Sequence, residues 1–181
     1  MSDFEIAMDY VAQNEEGLVK NSNDPGGITN IGISLRFMLS LDVEQQKVYG
    51  FFPELGEQFI ETLTYEKAKA IYCNEFWKQA PFADITNQIH CNYIFDMAIN
   101  CGIAPAIKCA QRACWAIQKK WELLIADGIL GQQTIEAIKM CGMFFLPVMR
   151  AERGNYYRQI VANDPSKKEF LNGWLNRTYN S

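Results

Sequence analysis

The chain has 181 residues, of which 49% are hydrophobic and 21% charged; this is one large ordered domain or two small lobes, able to bury roughly 70% of the surface exposed by the unfolded chain. A formal charge of −4, a pI near 5.1 and the lack of any Lys/Arg cluster argue against a nucleic-acid binder and against capture of an anionic polymer by a whole-protein field. Met1-Ser2-Asp3-Phe4-Glu5 lacks the basic and apolar regions of a secretory signal, and no apolar run approaches a membrane span; the chain is expected to be made as a soluble cytosolic protein and not to be an integral membrane protein.

Between residues 4 and 15 the apolar positions Phe4, Ala7, Met8, Val11 and Ala12 recur at helical spacing. Glu15, four residues after Val11, continues that core-facing stripe. A carboxylate there is partly desolvated, which disfavours its charged form and raises its pKa, as a general acid requires. Asp24-Pro25-Gly26 supplies turn chemistry, and the β-prone run after it, carrying Thr29 and Asn30, ends at Ser34, a plausible helix cap. The layout is helix, hairpin, helix.

Beyond the hairpin the pattern is helical. Asp42-Val43-Glu44-Gln45 has the form of a capping box, and Thr64 with Glu66 opens a helix whose stripe is Tyr65, Ala68, Tyr72 and Phe76. Ile89, Tyr93 and Met97 follow at spacing four until Cys101-Gly102, and Pro105 suits a first helical position before the stripe Ala106, Cys109, Ala110, Ala113, Cys114 and Ile117. Asp127-Gly128 breaks the pattern, and Pro147 interrupts or begins a later helix. Asp164-Pro165 turns the chain before a second capping box, Ser166 with Glu169, that opens a short last helix.

Each candidate has a plainer alternative. Glu15 can be a solvated glutamate of a last turn, and Asp24 can serve only its own turn. Thr29 can be only a β-branched strand residue. Tyr72, Phe76 and Trp77 can stack on sugars or fill a core. His90 has no Ser, Cys or acid pattern nearby that would make a triad, and reads as a capped or core-edge histidine. Asp96 interrupts an apolar helix and is either a buried partner for a backbone group or arginine, or a carboxylate supporting a cleft. The six cysteines (Cys73, Cys91, Cys101, Cys109, Cys114, Cys141) include no Cys-x-x-Cys pair and read as buried free thiols, with disulfides after export left open.

Residues 15 to 34, with Glu15-Glu16-Gly17-Leu18-Val19, then Asp24-Pro25-Gly26-Gly27 and Thr29-Asn30-Ile31-Gly32-Ile33, resemble the signature of glycoside hydrolase family 108. These are N-acetylmuramidases of bacteria and phages, sometimes labelled secretion activators. Glu16 stands where the family has a glycine and Leu18 where it has a tyrosine. Counting back from Gly26-Gly27 puts the family's catalytic glutamate on Glu15; a register slipped by one would put it on Glu16. Leu63 to Tyr72 with Phe76-Trp77, Phe95 to Gly102, Ala110 to Ala113, Asp127 to Gly131 with Thr134, and Phe170 to Arg177 resemble the rest of the family, including the peptidoglycan-domain half that usually follows.

The resemblance implies a mainly α, lysozyme-like fold of two lobes with a small β-hairpin in the first, residues 1–88 catalytic and 89–181 of peptidoglycan-binding type, packed as one compact unit with the glycan running between. It implies hydrolysis of the MurNAc–GlcNAc β-1,4 link, with Glu15 as acid, Asp24 as base or charge stabiliser and Thr29 positioning water. Trp77, Asn30 and Tyr72 become the substrate contacts. No metal or cofactor is implied; the partner is the glycan strand, the chain a monomer, and delivery to the periplasm or wall the work of a holin or secretion machine. The rivals are a lytic transglycosylase and a non-catalytic wall-binding or secretion-accessory protein.

Overall fold

The computed structural model describes residues 1–13, the backbone of 19–20, and residues 27–119 and 124–180. The fold is mainly α with a small antiparallel sheet, and the chain divides into two compact units: Met1–Val11 with Phe76–Ser181, and Ala12–Glu75.

In the larger unit, α1 (Phe4–Ala12) buries Ala7, Met8 and Val11, and the Asp3 carboxylate caps it by accepting from the amides of Glu5 (2.7 Å) and Ile6 (3.3 Å). Ser2 ties this start to the later chain, its amide donating to the Ala83 carbonyl at 2.7 Å and its hydroxyl to that of Ile85. Asn87 caps α6 (Gln88–Cys101), and Gly102, at φ +94°, ends it. Every residue of α6 from His90 to Ala98 is buried, so this helix lies inside the unit. Ile89, expected on its apolar stripe, is 62% exposed; the stripe is displaced because His90, Asn92 and Asp96 turn inward.

The small residues Ala106, Cys109, Ala110 and Ala113 bring α7 (Ile103–Gln118) against α6 and against α9 (Phe145–Asn163). Pro105 sits two residues inside α7, still in the first turn, where a missing N–H costs no helix bond. Pro147 likewise falls in the first turn of α9. Helix α8 (Gln132–Cys141) packs on α7, and α10 (Leu171–Asn180) on α9. The cap expected at Ser166 belongs instead to Asp164, whose carboxylate accepts from the Ser166 amide (3.2 Å) and hydroxyl (2.6 Å). With Pro165 next, the chain enters a 3-10 turn, Pro165–Phe170, before α10.

The loop before α8 is tied down by Gln111 of α7. Its amide nitrogen donates to Asp127 (2.8 Å), the Ile129 carbonyl (3.2 Å) and the Thr134 hydroxyl (3.1 Å), while its oxygen accepts from the Gly128 amide (3.0 Å). Gly128 is required here: at φ +85° a Cβ would stand 2.9 Å from the Ala104 carbonyl oxygen.

In the smaller unit β1 (Val19–Lys20), β2 (Ile28–Asn30) and β3 (Ile33–Ser34) form the sheet in that order, so a third strand joins the expected hairpin. Ser34 caps α2 (Leu35–Ser40) through the Phe37 amide at 3.1 Å, and the box expected at Asp42 and Gln45 opens α3 (Val43–Tyr49). Helix α4 (Gly56–Glu61) packs on β2, and α5 (Tyr65–Glu75) buries Ala68, Ile71 and Tyr72 while Tyr65 stays exposed.

Candidate active site

The side chains that would cut a glycan were expected around the sheet. Thr29 pairs with Val19 on one side and Ser34 on the other. Ile28 and Asn30 are buried, and the alternation of a strand turns half-buried Thr29 to the opposite face of the sheet from their packed side. A hydroxyl held there is fixed by two neighbouring strands. Glu15, Glu16 and Asp24 lie outside the described residues; α1 ends at Ala12.

The turn after Thr29 is set by Ile31 at φ +49° and Gly32 at φ +70°, the paired positive angles of a tight hairpin turn. Glycine adopts such an angle freely, whereas a β-branched side chain resists it, so neighbouring structure must hold Ile31 there. Tyr72 does so, its hydroxyl donating to the Ile31 carbonyl at 3.0 Å. Asn30 holds the other side: its amide donates to the carbonyls of Ile60 (2.9 Å) and Glu61 (3.4 Å) at the end of α4. Both side chains are buried, Tyr72 at 1% and Asn30 at 9% exposure.

Trp77 belongs to the larger unit. Its ring stacks on Phe82 (centroids 5.8 Å apart), meets Phe95 edge-on (5.1 Å) and tilts against Phe4 (5.4 Å), leaving the indole half-buried. Such rings supply packing as well as a partly accessible stacking surface.

Asp96 resolves as a partner for arginine. Fully buried, it contacts the Arg153 guanidinium at 2.8 Å, and accepts from Arg177 Nη2 at 2.7 Å and Nε at 3.2 Å. Arg153 is also fully buried, its Nε donating to the Tyr157 hydroxyl at 3.1 Å and its guanidinium lying 5.1 Å from the Tyr93 ring. Burial works against the charge of Arg153, but Asp96, Tyr157 and Tyr93 more than offset it and hold its pKa above the ordinary value. Burial also pushes Tyr93 up to about 12. Neither arginine drew attention as a charge partner in the sequence. A signal existed, since Phe145, Met149, Arg153 and Tyr157 recur every four residues and put Arg153 in the buried stripe.

His90, 5% exposed, lies against Phe145 with its Nδ1 lacking a hydrogen-bond partner, and burial lowers its pKa. The six cysteines are free thiols. Among the described residues no group of three or more His, Cys, Asp and Glu side chains is placed to hold a metal ion, and no helix is long and apolar enough to cross a membrane.

Known proteins account for most of this chain. Residues 8–102 match the glycosyl hydrolase 108 model, and residues 105–179 match a predicted peptidoglycan domain. The chain is similar to the solved structure of Brucella abortus SagA, with 25% identity and a TM-score of 0.74 over 98% of this chain and 90% of that one. No curated protein matches it. The two matched segments make this a peptidoglycan-acting protein with a glycoside hydrolase segment and peptidoglycan as its partner. Matched over more than half its length by that first model, the chain belongs to the glycosyl hydrolase 108 family.

Proposed function

We propose that the chain is an N-acetylmuramidase that hydrolyses the MurNAc–GlcNAc β-1,4 bond of peptidoglycan. The observation that carries this reading is the block from Glu15 to Ser34, inside the segment matched to a glycosyl hydrolase and running into a sheet that fixes Thr29 in register. Glu15 protonates the leaving oxygen. Asp24 acts as base or charge stabiliser, and the Thr29 hydroxyl orients the attacking water. Trp77, Asn30 and Tyr72 serve the substrate: Trp77 by stacking, Asn30 and Tyr72 through the turn that they hold beside Thr29.

Residues 1–88 are proposed as the catalytic lobe and 89–181 as the wall-binding one. The protein is proposed to act as a monomer in the periplasm or wall after delivery by a holin or secretion route. A zymogram on purified sacculi tests the chemistry. Wild type clears the sacculi, Glu15→Gln does not because an amide donates no acidic proton, and Glu16→Gln retains substantial activity. Reversed behaviour of the two variants moves the acid to Glu16. Anhydro-muramic ends in the digest identify a transglycosylase, and a wild type that never clears sacculi is an accessory protein.

A further inference from the structure

A cavity of about 360 Å³ opens between α7 and α8, and every residue in its wall falls within the matched peptidoglycan domain, residues 105–179. Its volume lies at the lower end of the range for small-molecule sites. Trp115, Leu124 and Met140 give it an apolar surface, and Gln118, Gln133 and Glu136 add polar groups.

The bonds already made decide what each group has left to offer. Trp115 donates its indole N–H to the Leu124 carbonyl at 2.6 Å, so its ring can give a ligand only apolar surface. Gln118 commits its amide nitrogen to the Ala137 carbonyl (2.7 Å) and the Cys141 sulfur (3.3 Å), which leaves its carbonyl oxygen as an acceptor. Gln133 is exposed, and its amide has no hydrogen-bond partner among the described residues. One acceptor, one free amide, an indole and aliphatic surface therefore meet in one hollow.

Charge narrows the ligand further. Lys139 approaches Glu136 only to 3.9 Å, with both side chains more than half exposed, so solvent screens the pair and the carboxylate keeps its field in the cavity. A neighbouring cavity of about 300 Å³ shares Leu124 and Gln133 with the first and has Asp127 in its wall. The Ile129 amide and the Gln111 side chain hold the Asp127 carboxyl below the usual carboxylate range, so it is charged at neutral pH. Each cavity thus carries an acid, which disfavours an anionic ligand.

We propose that the cavity between α7 and α8 binds the N-acetylglucosamine unit of the glycan strand. The acetamido N–H donates to the Gln118 carbonyl oxygen and the acetamido oxygen accepts from Gln133, while the methyl packs on Leu124 and Met140 and the sugar ring lies against Trp115. N-acetylglucosamine fits better than the muramic unit beside it in the strand, because it brings neither a lactyl carboxyl nor a peptide towards Glu136. The proposal rests on the wall-binding role given to residues 89–181 and not on the hydrolysis.

The test titrates the full chain with N,N′,N″-triacetylchitotriose, a β-1,4 trimer of N-acetylglucosamine, and follows the assigned Trp115 indole N–H and Met140 methyl signals by heteronuclear NMR. Both should shift saturably, and cellotriose, of the same length and linkage without acetamido groups, should leave them in place. Gln133→Ala removes an exposed side chain with no bond to lose in the fold, and should weaken binding about 2–10-fold, the worth of one hydrogen bond. N-acetylmuramic acid should bind more weakly than N-acetylglucosamine, and Glu136→Gln should narrow that gap. An equal response to cellotriose, or equal binding of the two sugars, overturns the assignment. A wild type that clears sacculi while neither signal responds overturns the cavity and leaves the hydrolase reading standing; a wild type that responds at both signals but never clears sacculi supports the cavity without the hydrolase.

Discussion

Replacing Asp96 by Asn keeps the shape of the side chain and removes the only carboxylate bonded to both Arg153 and Arg177 among the described contacts. Arg153 has no exposed side-chain surface, and its Nη1 and Nη2 find no hydrogen-bond partner beyond the ionic contact with Asp96, so its charge would be stranded in the interior. Breaking a buried pair from one side costs about 3–5 kcal/mol, and a chain of this size loses about 2–4 °C per kcal/mol, which gives a fall in Tm of about 6–20 °C. Thermal unfolding followed by circular dichroism reads it directly. Arg177, whose side chain keeps 13% exposure, can re-solvate, so Asp96→Asn should cost more than Arg177→Gln. Removing all three charges together, with Asp96→Leu, Arg153→Met and Arg177→Met, should cost less than Asp96→Asn alone, because no unpaired charge remains. An Asp96→Asn protein melting within about 2 °C of wild type would refute the account.

Burial lowers the pKa of His90 in the folded state, so its contribution to stability is present above the ordinary value of 6.5 and lost as pH falls below it. Urea midpoints measured from pH 7.5 down to 5 should therefore decline, and His90→Gln should flatten that decline; an unchanged slope in the variant would assign it to other groups. Tyr72→Phe leaves the Ile31 carbonyl without its donor and should cost about 0.5–1.5 kcal/mol, with wall hydrolysis falling as the turn beside Thr29 loosens; urea unfolding and turbidity clearance of sacculi measure the two effects. Under the proposed mechanism, a water between Glu15 and Asp24 requires carboxyl groups roughly 6.5–9.5 Å apart and inversion at the anomeric carbon, so proton NMR should detect the α-anomer first, and a β-anomer appearing first would recast Asp24 as nucleophile or ion stabiliser.

Local rules carried much of the fold. Ser34 and the pair Asp42–Gln45 cap the helices that they announce, because side-chain acceptors satisfy amides only a few residues away. They failed where a neighbour outweighed propensity. Ile31 belongs to a β-prone run but takes a left-handed turn, and the group that holds it, the Tyr72 hydroxyl, comes from forty-one residues away. Ser166 looked like a cap, yet Asp164 before a proline offers the better acceptor. Asp96 was legible as an anomaly, but its partners lie on two later helices that no local pattern links to it. At the candidate site, Thr29 and Asn30 could be placed from strand alternation, whereas the engagement of Asn30 with the end of α4 depends on packing between distant segments.

Helix α1 shares a compact unit with residues 76–181, and the rings of Phe4, Trp77, Phe82 and Phe95 pack together there. During synthesis the first helix is therefore made long before its partners and must hold its apolar face without them. The boundary between the two family segments, after residue 102, cuts α6 from α7, although α6 is buried from His90 to Ala98 and packs on α7. A fragment ending there would expose the interior of the unit, so the hydrolase segment is not a transplantable module. Recombination that exchanges wall-binding halves between relatives would have to preserve the packing of α6 on α7 across that boundary.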